Sequence, residues 1–189
     1  MYLNFSKGCW EDAGVFTCYS FRFKETPRFT QEEDHIRTAI NPNHREGFDN
    51  ISLLTEETFT TGVTATLRCS FEDWGCPEII LVPEIATCPD GEIRYGACFE
   101  VIPYKQGLNV WRHFYENEKC FWHLRLGLKY PVAENAIHTL RVKVTEKRLI
   151  VTLDDMETIL RTEDLPDRFH IGITGCEGIA RFYDLKIEP

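Results

Sequence analysis

Apolar residues return at every second position through much of this chain. Across residues 138–144, Leu140, Val142 and Val144 fall on one side, and Leu149, Val151 and Leu153 repeat the pattern over 149–153. Phe169, Ile171 and Ile173 resume it further on, and residues 179–187 form a closing strand. A period of two places successive side chains on opposite faces of a strand, so each segment has one dry side and one polar side. Residues 145–148, Asp154-Asp155 and Gly175-Cys176-Glu177-Gly178 separate the segments and supply polar turns. The expected product is an antiparallel sheet.

Upstream, the same reading gives a strand over 15–23, mainly loop over 31–50 with one short strand near 36–40, and a long strand over 58–71. In that long strand Val63, Ala65, Leu67 and Cys69 share one face, while Thr64, Thr66, Arg68 and Ser70 share the other. Trp74-Gly75-Cys76-Pro77 is expected to turn the chain into a strand over 78–84, and Pro89-Asp90-Gly91 to lead into 94–104. Strands over 108–115 and 119–128 follow, joined by Glu116-Asn117-Glu118. Residues 131–135 and 163–168 each have room for one turn of helix. With no internal repeat and no linker-like composition, residues 1–189 read as one all-β domain of ten to thirteen strands in two packed sheets.

Composition narrows the function classes. Lys and Arg number 21 against 30 Asp and Glu, a formal charge of −9. That balance argues against nucleic acid, whose binding draws on Lys and Arg, and against an anionic membrane surface. No apolar run approaches the ~18–20 residues that span a bilayer. Residues 1–5 show no basic-then-apolar pattern, so no secretory signal is expected and the location read is cytoplasmic. Eight cysteines are present without a single C-x-x-C pair, which disfavours a zinc site. Reduced, mostly buried thiols are the expectation.

The C-terminal third, "HTLRVKVTEKRLIVTLDD", then "TEDLPDR", then "FHIGITGCEGIARFYDLKIEP" with its Tyr183-Asp184 step, resembles the concanavalin A-like lectin and glucanase superfamily. The resemblance implies two curved antiparallel sheets in a jelly-roll sandwich and a bias toward carbohydrate, frequently on the concave face. It also implies structural calcium held by loop oxygens. Asp49, Asn50 and Asp184 are oxygen donors, but no residue is assigned as a metal ligand and no cofactor is expected.

Two neighbouring strands carry a polar-aromatic side that suits such a ligand. Asn109, Trp111 and His113 alternate on one strand, His123 and Arg125 on the next, and Glu100 on the strand before. If these faces join, Trp111 offers a stacking surface to the apolar face of a pyranose, and the other five take its hydroxyls. Catalysis would need two carboxylates. The E-x-D-x-E pattern of laminarinase-type enzymes is approached by Leu153, Asp155 and Glu157, but a Leu stands first and Asp154-Asp155 reads as a hairpin tip. Glu78 and Glu100, on successive strands, are the alternative pair, with His113 or His123 as a proton-transfer helper. The leading expectation is therefore a carbohydrate binder. A glycoside hydrolase on the same scaffold and a non-catalytic protein-interaction module are its rivals.

Overall fold

The computed structural model describes residues 1–19, 29–38, 51–87, 93–117 and 119–189. These form sixteen strands and no helix. The short N-terminal strands are β1 (Tyr2–Asn4), β2 (Val15–Tyr19), β3 (Thr30–Gln31), β4 (Ile36–Arg37), β5 (Ile51–Thr55) and β6 (Phe59–Thr60). The long β7 (Thr64–Val82) precedes β8 (Ile85–Thr87), β9 (Ile93–Tyr95) and β10 (Cys98–Tyr104). Then come β11 (Gly107–Glu116), β12 (Lys119–Lys129), β13 (His138–Thr145), β14 (Arg148–Leu153), β15 (Met156–Arg161) and β16 (Arg168–Glu188).

Strands β7 and β16 organise everything else. They pair antiparallel from His170 opposite Val82 to Glu188 opposite Thr64, and they bend together near the middle. Beyond the bend, the hydrogen-bonded path continues into two layers. The first runs β12-β11-β10-β7-β16-β5-β2-β9-β8, using the second half of β7 and the first half of β16. The second runs β15-β14-β13-β7-β16, using the opposite halves, with β1 and the β3–β4 pair beside β16. Between the layers lies one apolar core. Ile79, Leu81, Val101, Val110, Ile171 and Ile173 enter it from the first layer, and Leu67, Leu140, Val142, Val151 and Leu185 from the second.

The bend corrects an expectation. Trp74–Pro77 and Gly175–Gly178 are not turns between separate strands; they are facing kinks in two continuous ones. Asp73, Trp74 and Glu177 take positive φ (52°, 65° and 63°), and the register slips between Glu177 and Ile179. Backbones approach so closely that a Cβ on Gly75 would stand 2.1 Å from the Ile179 carbonyl oxygen, and one on Gly178 2.0 Å from that of Asp73. Only glycine fits at either place.

Other readings also shift. The strand expected over 58–71 is broken at Gly62, with φ of 100°, and that over 94–104 is broken between β9 and β10. Residues 131–135 and 163–168 contain no helix. The turn at Pro89-Asp90-Gly91 lies outside the described residues, as does the second half of the strand expected over 15–23. The expected alternation of β13, β14 and β16 is observed, and Leu153 opposite Met156 makes Asp154-Asp155 a hairpin tip. Among the described residues no helix is long and apolar enough to cross a membrane. Gly75→Ala is expected to cost about 1–3 kcal/mol through backbone displacement at the bend. Thermal unfolding checks it: an unchanged Tm would show that the kink does not depend on this contact.

Candidate functional site

The outer face of the first layer, turned away from the core, is set by simple register. Glu100 lies opposite Trp111, Cys98 opposite His113, and Ile102 opposite Asn109. Residues directly opposite on antiparallel strands share a face, so these six belong together. On the other flank of β10, Glu100 lies opposite Ile80, which puts Glu78 diagonally behind it on the same face. Thr174 pairs with Glu78 and with Ser52, extending the face across β16 to β5.

Glu100 is the centre of this arrangement. It is 5% exposed, and its Oε2 lies 2.8 Å from His113 Nε2. The Cys98 thiol stands 3.8 Å from Oε1. Glu78 is more deeply placed, 1% exposed, with the Cys176 thiol donating to its Oε1 at 3.0 Å. Its Oε2 has no hydrogen-bond partner among the described residues. Burial, reinforced by the charge of Glu100, pushes the Glu78 carboxyl well above the ordinary carboxylate range. Beyond Glu78 the face is closed by polar contacts: the Tyr95 and Ser52 hydroxyls are 2.8 Å apart, and those of Ser52 and Thr174 2.6 Å.

Toward the free edge at β12 the face opens. Trp111 and His113 are partly exposed; Trp122, opposite His113, is 55% exposed, and Leu124, opposite Trp111, 50%. The Trp122 ring meets the His113 ring edge-on at 5.9 Å. An indole pair with Leu124 and Tyr115 therefore borders the Glu100–His113 couple.

Of the residues expected to bind sugar, Glu100, Asn109, Trp111 and His113 share this face; His123 and Arg125 do not. Glu116 pairs with Lys119, which sets His123 opposite Arg112 on the other side of the sheet. There His123 packs edge-on against Phe114 at 4.9 Å. Arg125 is the extra residue of a bulge between Leu124 and Leu126, and it donates to Asp164 at 2.5 Å. Arg112 reaches the same carboxylate at 3.1 Å. Arg125 and then Arg112 hold the Asp164 carboxyl below its usual range. Arg125 lines a shallow cleft of about 500 Å³ with Arg148 and Arg161, apart from the indoles. Trp122, Leu124 and Cys98 were missed in the sequence, although Glu116 pairing with Lys119 fixes the first two.

The expected pair of carboxylates does share a face, and His113 rather than His123 touches Glu100. Asp154 is occupied structurally, accepting from the Thr139 amide at 2.9 Å beside the His138 ring. Of the calcium donors considered, Asp184 accepts from Arg68 at 2.9 Å, while Asp49 and Asn50 lie outside the described residues. Cys9, Cys69, Cys76, Cys98, Cys120 and Cys176 are free thiols.

Comparison with known proteins places this architecture. No family profile matches the chain, and no curated protein is significantly similar in sequence. Solved structures do match. A carbohydrate-binding module, CBM66 from Bacillus subtilis, superposes with a TM-score of 0.62 at 13% identity, over 93% of this chain and 96% of its own. A glycoside hydrolase family 16 endo-glucanase from Bacteroides ovatus gives 0.64 at 10% identity, over 100% and 99%. A beta-1,3-glucanase from Mycobacterium marinum gives 0.61 at 12% identity, over 100% and 97%. The fold is a concanavalin A-like jelly roll. On this jelly roll the Glu100 face is the outer face of the β12-to-β8 layer, and its polar centre lies inward of its aromatic edge.

The Glu78 environment has a measurable consequence. Its folded-state proton affinity is raised, so stability is full below the ordinary carboxylate range and is lost as pH rises toward the folded value. Glu78→Gln removes that loss while keeping an oxygen to accept from Cys176. The Tm of the variant minus that of the native chain should grow from ~pH 4 to ~pH 8. A difference that does not change with pH would show that this carboxyl is not linked to folding.

Proposed function

We propose that the chain is a carbohydrate-binding protein that takes its ligand on the outer face of the first layer, at the β11–β12 edge. One observation carries the reading: two indoles, Trp111 and half-exposed Trp122, flank a close pair of buried Glu100 and partly exposed His113, 2.8 Å apart, on a single sheet face. Trp111 and Trp122 supply flat apolar surface for the C–H side of a sugar ring. Asn109, Glu100 and His113 supply a graded set of acceptors and donors for its hydroxyls. A hydroxyl with the wrong configuration would leave the buried Glu100 carboxylate unpaired, at about 1–3 kcal/mol, and this gives selectivity among epimers. The similar solved structures, a carbohydrate-binding module and two glucanases by their names, support carbohydrate as the ligand class.

Hydrolysis is the second reading, favoured by one feature. Burial, then the charge of Glu100, raises the Glu78 carboxyl on the same face well above the ordinary range, which is the offset that a general acid and a second carboxylate need. Binding ranks first because Glu78 is sealed beneath the face, whereas the indoles are open.

A glycan array followed by calorimetry tests the proposal. Trp111→Ala and Trp122→Ala should each weaken the recognised glycan about 10-fold or more, on the order of 1.4 kcal/mol. Undiminished affinity in both variants would remove the aromatic edge from the site. New reducing ends after prolonged incubation, lost in Glu100→Gln, would replace binding by hydrolysis. A chain that neither binds nor cleaves any glycan would be an interaction module.

A further inference from the structure

The same face brings three different metal-ligating side chains to one point. Cys98 and Glu100 alternate on β10, and His113 stands directly opposite Cys98 on β11. The Cys98 sulfur, a Glu100 oxygen and a His113 nitrogen all lie within 4.8 Å of one another. Around a tetrahedral zinc-class ion, with bonds of ~2.0–2.3 Å, such atoms stand roughly 3.3–3.8 Å apart. Small side-chain rotations separate the observed arrangement from that one, and the Glu100–His113 contact must open from its present 2.8 Å.

We infer that Cys98, Glu100 and His113 form a binding site for a divalent transition ion of the zinc or cobalt class, with its fourth position open beside Trp111. The donor set selects that class. Thiolate and imidazole suit zinc and cobalt, whereas magnesium and calcium take oxygen ligands almost exclusively. Three protein ligands with one open position is the composition of a site that also engages water or a ligand hydroxyl. The sequence gives no hint of it, because the ligands come from two strands with no C-x-x-C or H-x-x-H spacing.

Burial supports the inference. Cys98 is 2% exposed and Glu100 5%, so their stems are fixed by packing, and only His113 has freedom to adjust. The Cys98 thiol and the Glu100 and Glu78 carboxyl groups share this buried face, so an ion there would meet ligating atoms in place of apolar surface. On binding, the Cys98 S–H bond breaks and its proton leaves to solvent, His113 binds in the tautomer whose ligating ring nitrogen carries no proton, and the sulfur, a Glu100 carboxylate oxygen and that nitrogen each donate an electron pair to the ion. Affinity must therefore fall on acidification.

Titration of the reduced, chelator-treated chain with cobalt(II) is the test. One equivalent should bind, with a thiolate-to-cobalt charge-transfer band that zinc abolishes by displacement. Cys98→Ser should remove the band, His113→Gln should weaken binding at least about 10-fold, and Cys9→Ser, at an exposed thiol, should change neither. Absence of the band from the native chain, or its survival in Cys98→Ser, overturns the site. Should Cys98→Ser fail to fold, His113→Gln decides alone, since its side chain is partly open to solvent, and unchanged cobalt affinity there overturns the site too. Glycan binding measured separately in the presence of EDTA reports on the aromatic edge, so the two proposals fail independently.

Discussion

Backbone pairing between β7 and β16 is the interaction from which the other features follow. Neither strand belongs to a single layer. Each passes through the bend at Gly75 and Gly178, so the hydrogen bonds that join the two strands also join the two sheets. The core on the inner side is shaped by that kink, because Ile79 and Leu67, on one strand, project into it from opposite layers. The remaining strands add outward from this pair, and β10, β11 and β12 take their register from it in turn. A displacement at the bend would therefore be transmitted to Glu100 and Trp111 through two strand pairings, without a flexible segment in between to absorb it.

The outer face shows what that rigidity permits. Sheets exposed on one side usually carry hydrated polar residues there. Here Ser52, Glu78, Glu100 and Thr174 are buried, and apolar neighbours Leu54, Ile80 and Val82 surround them. Low local polarity makes each remaining hydrogen bond count for more and makes an unpaired oxygen such as Glu78 Oε2 costly. Burial of this kind is poor for stability alone, and it holds the groups in fixed orientation.

Much of the fold was legible because the apolar alternation of β13, β14 and β16 survives in the sequence, and with it the hairpin tip at Asp154-Asp155. The bend was not legible. Glycine with neighbouring Cys, Pro or Glu has the composition of a turn, and only the long-range pairing of Gly75 with Glu177 turns two apparent ends into two kinks. At the site, Glu100, Asn109, Trp111 and His113 were recoverable from alternation within one strand and its neighbour. His123 was misplaced by a single residue, and Arg125 by the bulge that it forms. Reading Glu116-Asn117-Glu118 as a three-residue loop sets Trp111 opposite His123; pairing Glu116 with Lys119 sets it opposite Leu124 and brings Trp122 to His113. A slip of one exchanges the two faces of a strand. Cys98 escaped notice for a different reason, since a lone cysteine among apolar residues gives no sign of what lies across the sheet from it.

Residue 1 and residue 187 exchange backbone hydrogen bonds of 2.8 and 2.9 Å, and β1 runs antiparallel to the end of β16. The two ends of this chain thus sit side by side in the second layer. A load applied between them would peel the short β1 ladder one rung at a time, an unzipping geometry that yields at low force, instead of shearing all its rungs together. Tethered by both ends, the domain would surrender its terminal strand first and leave the β10–β12 edge, anchored in the other layer, untouched by the initial rupture.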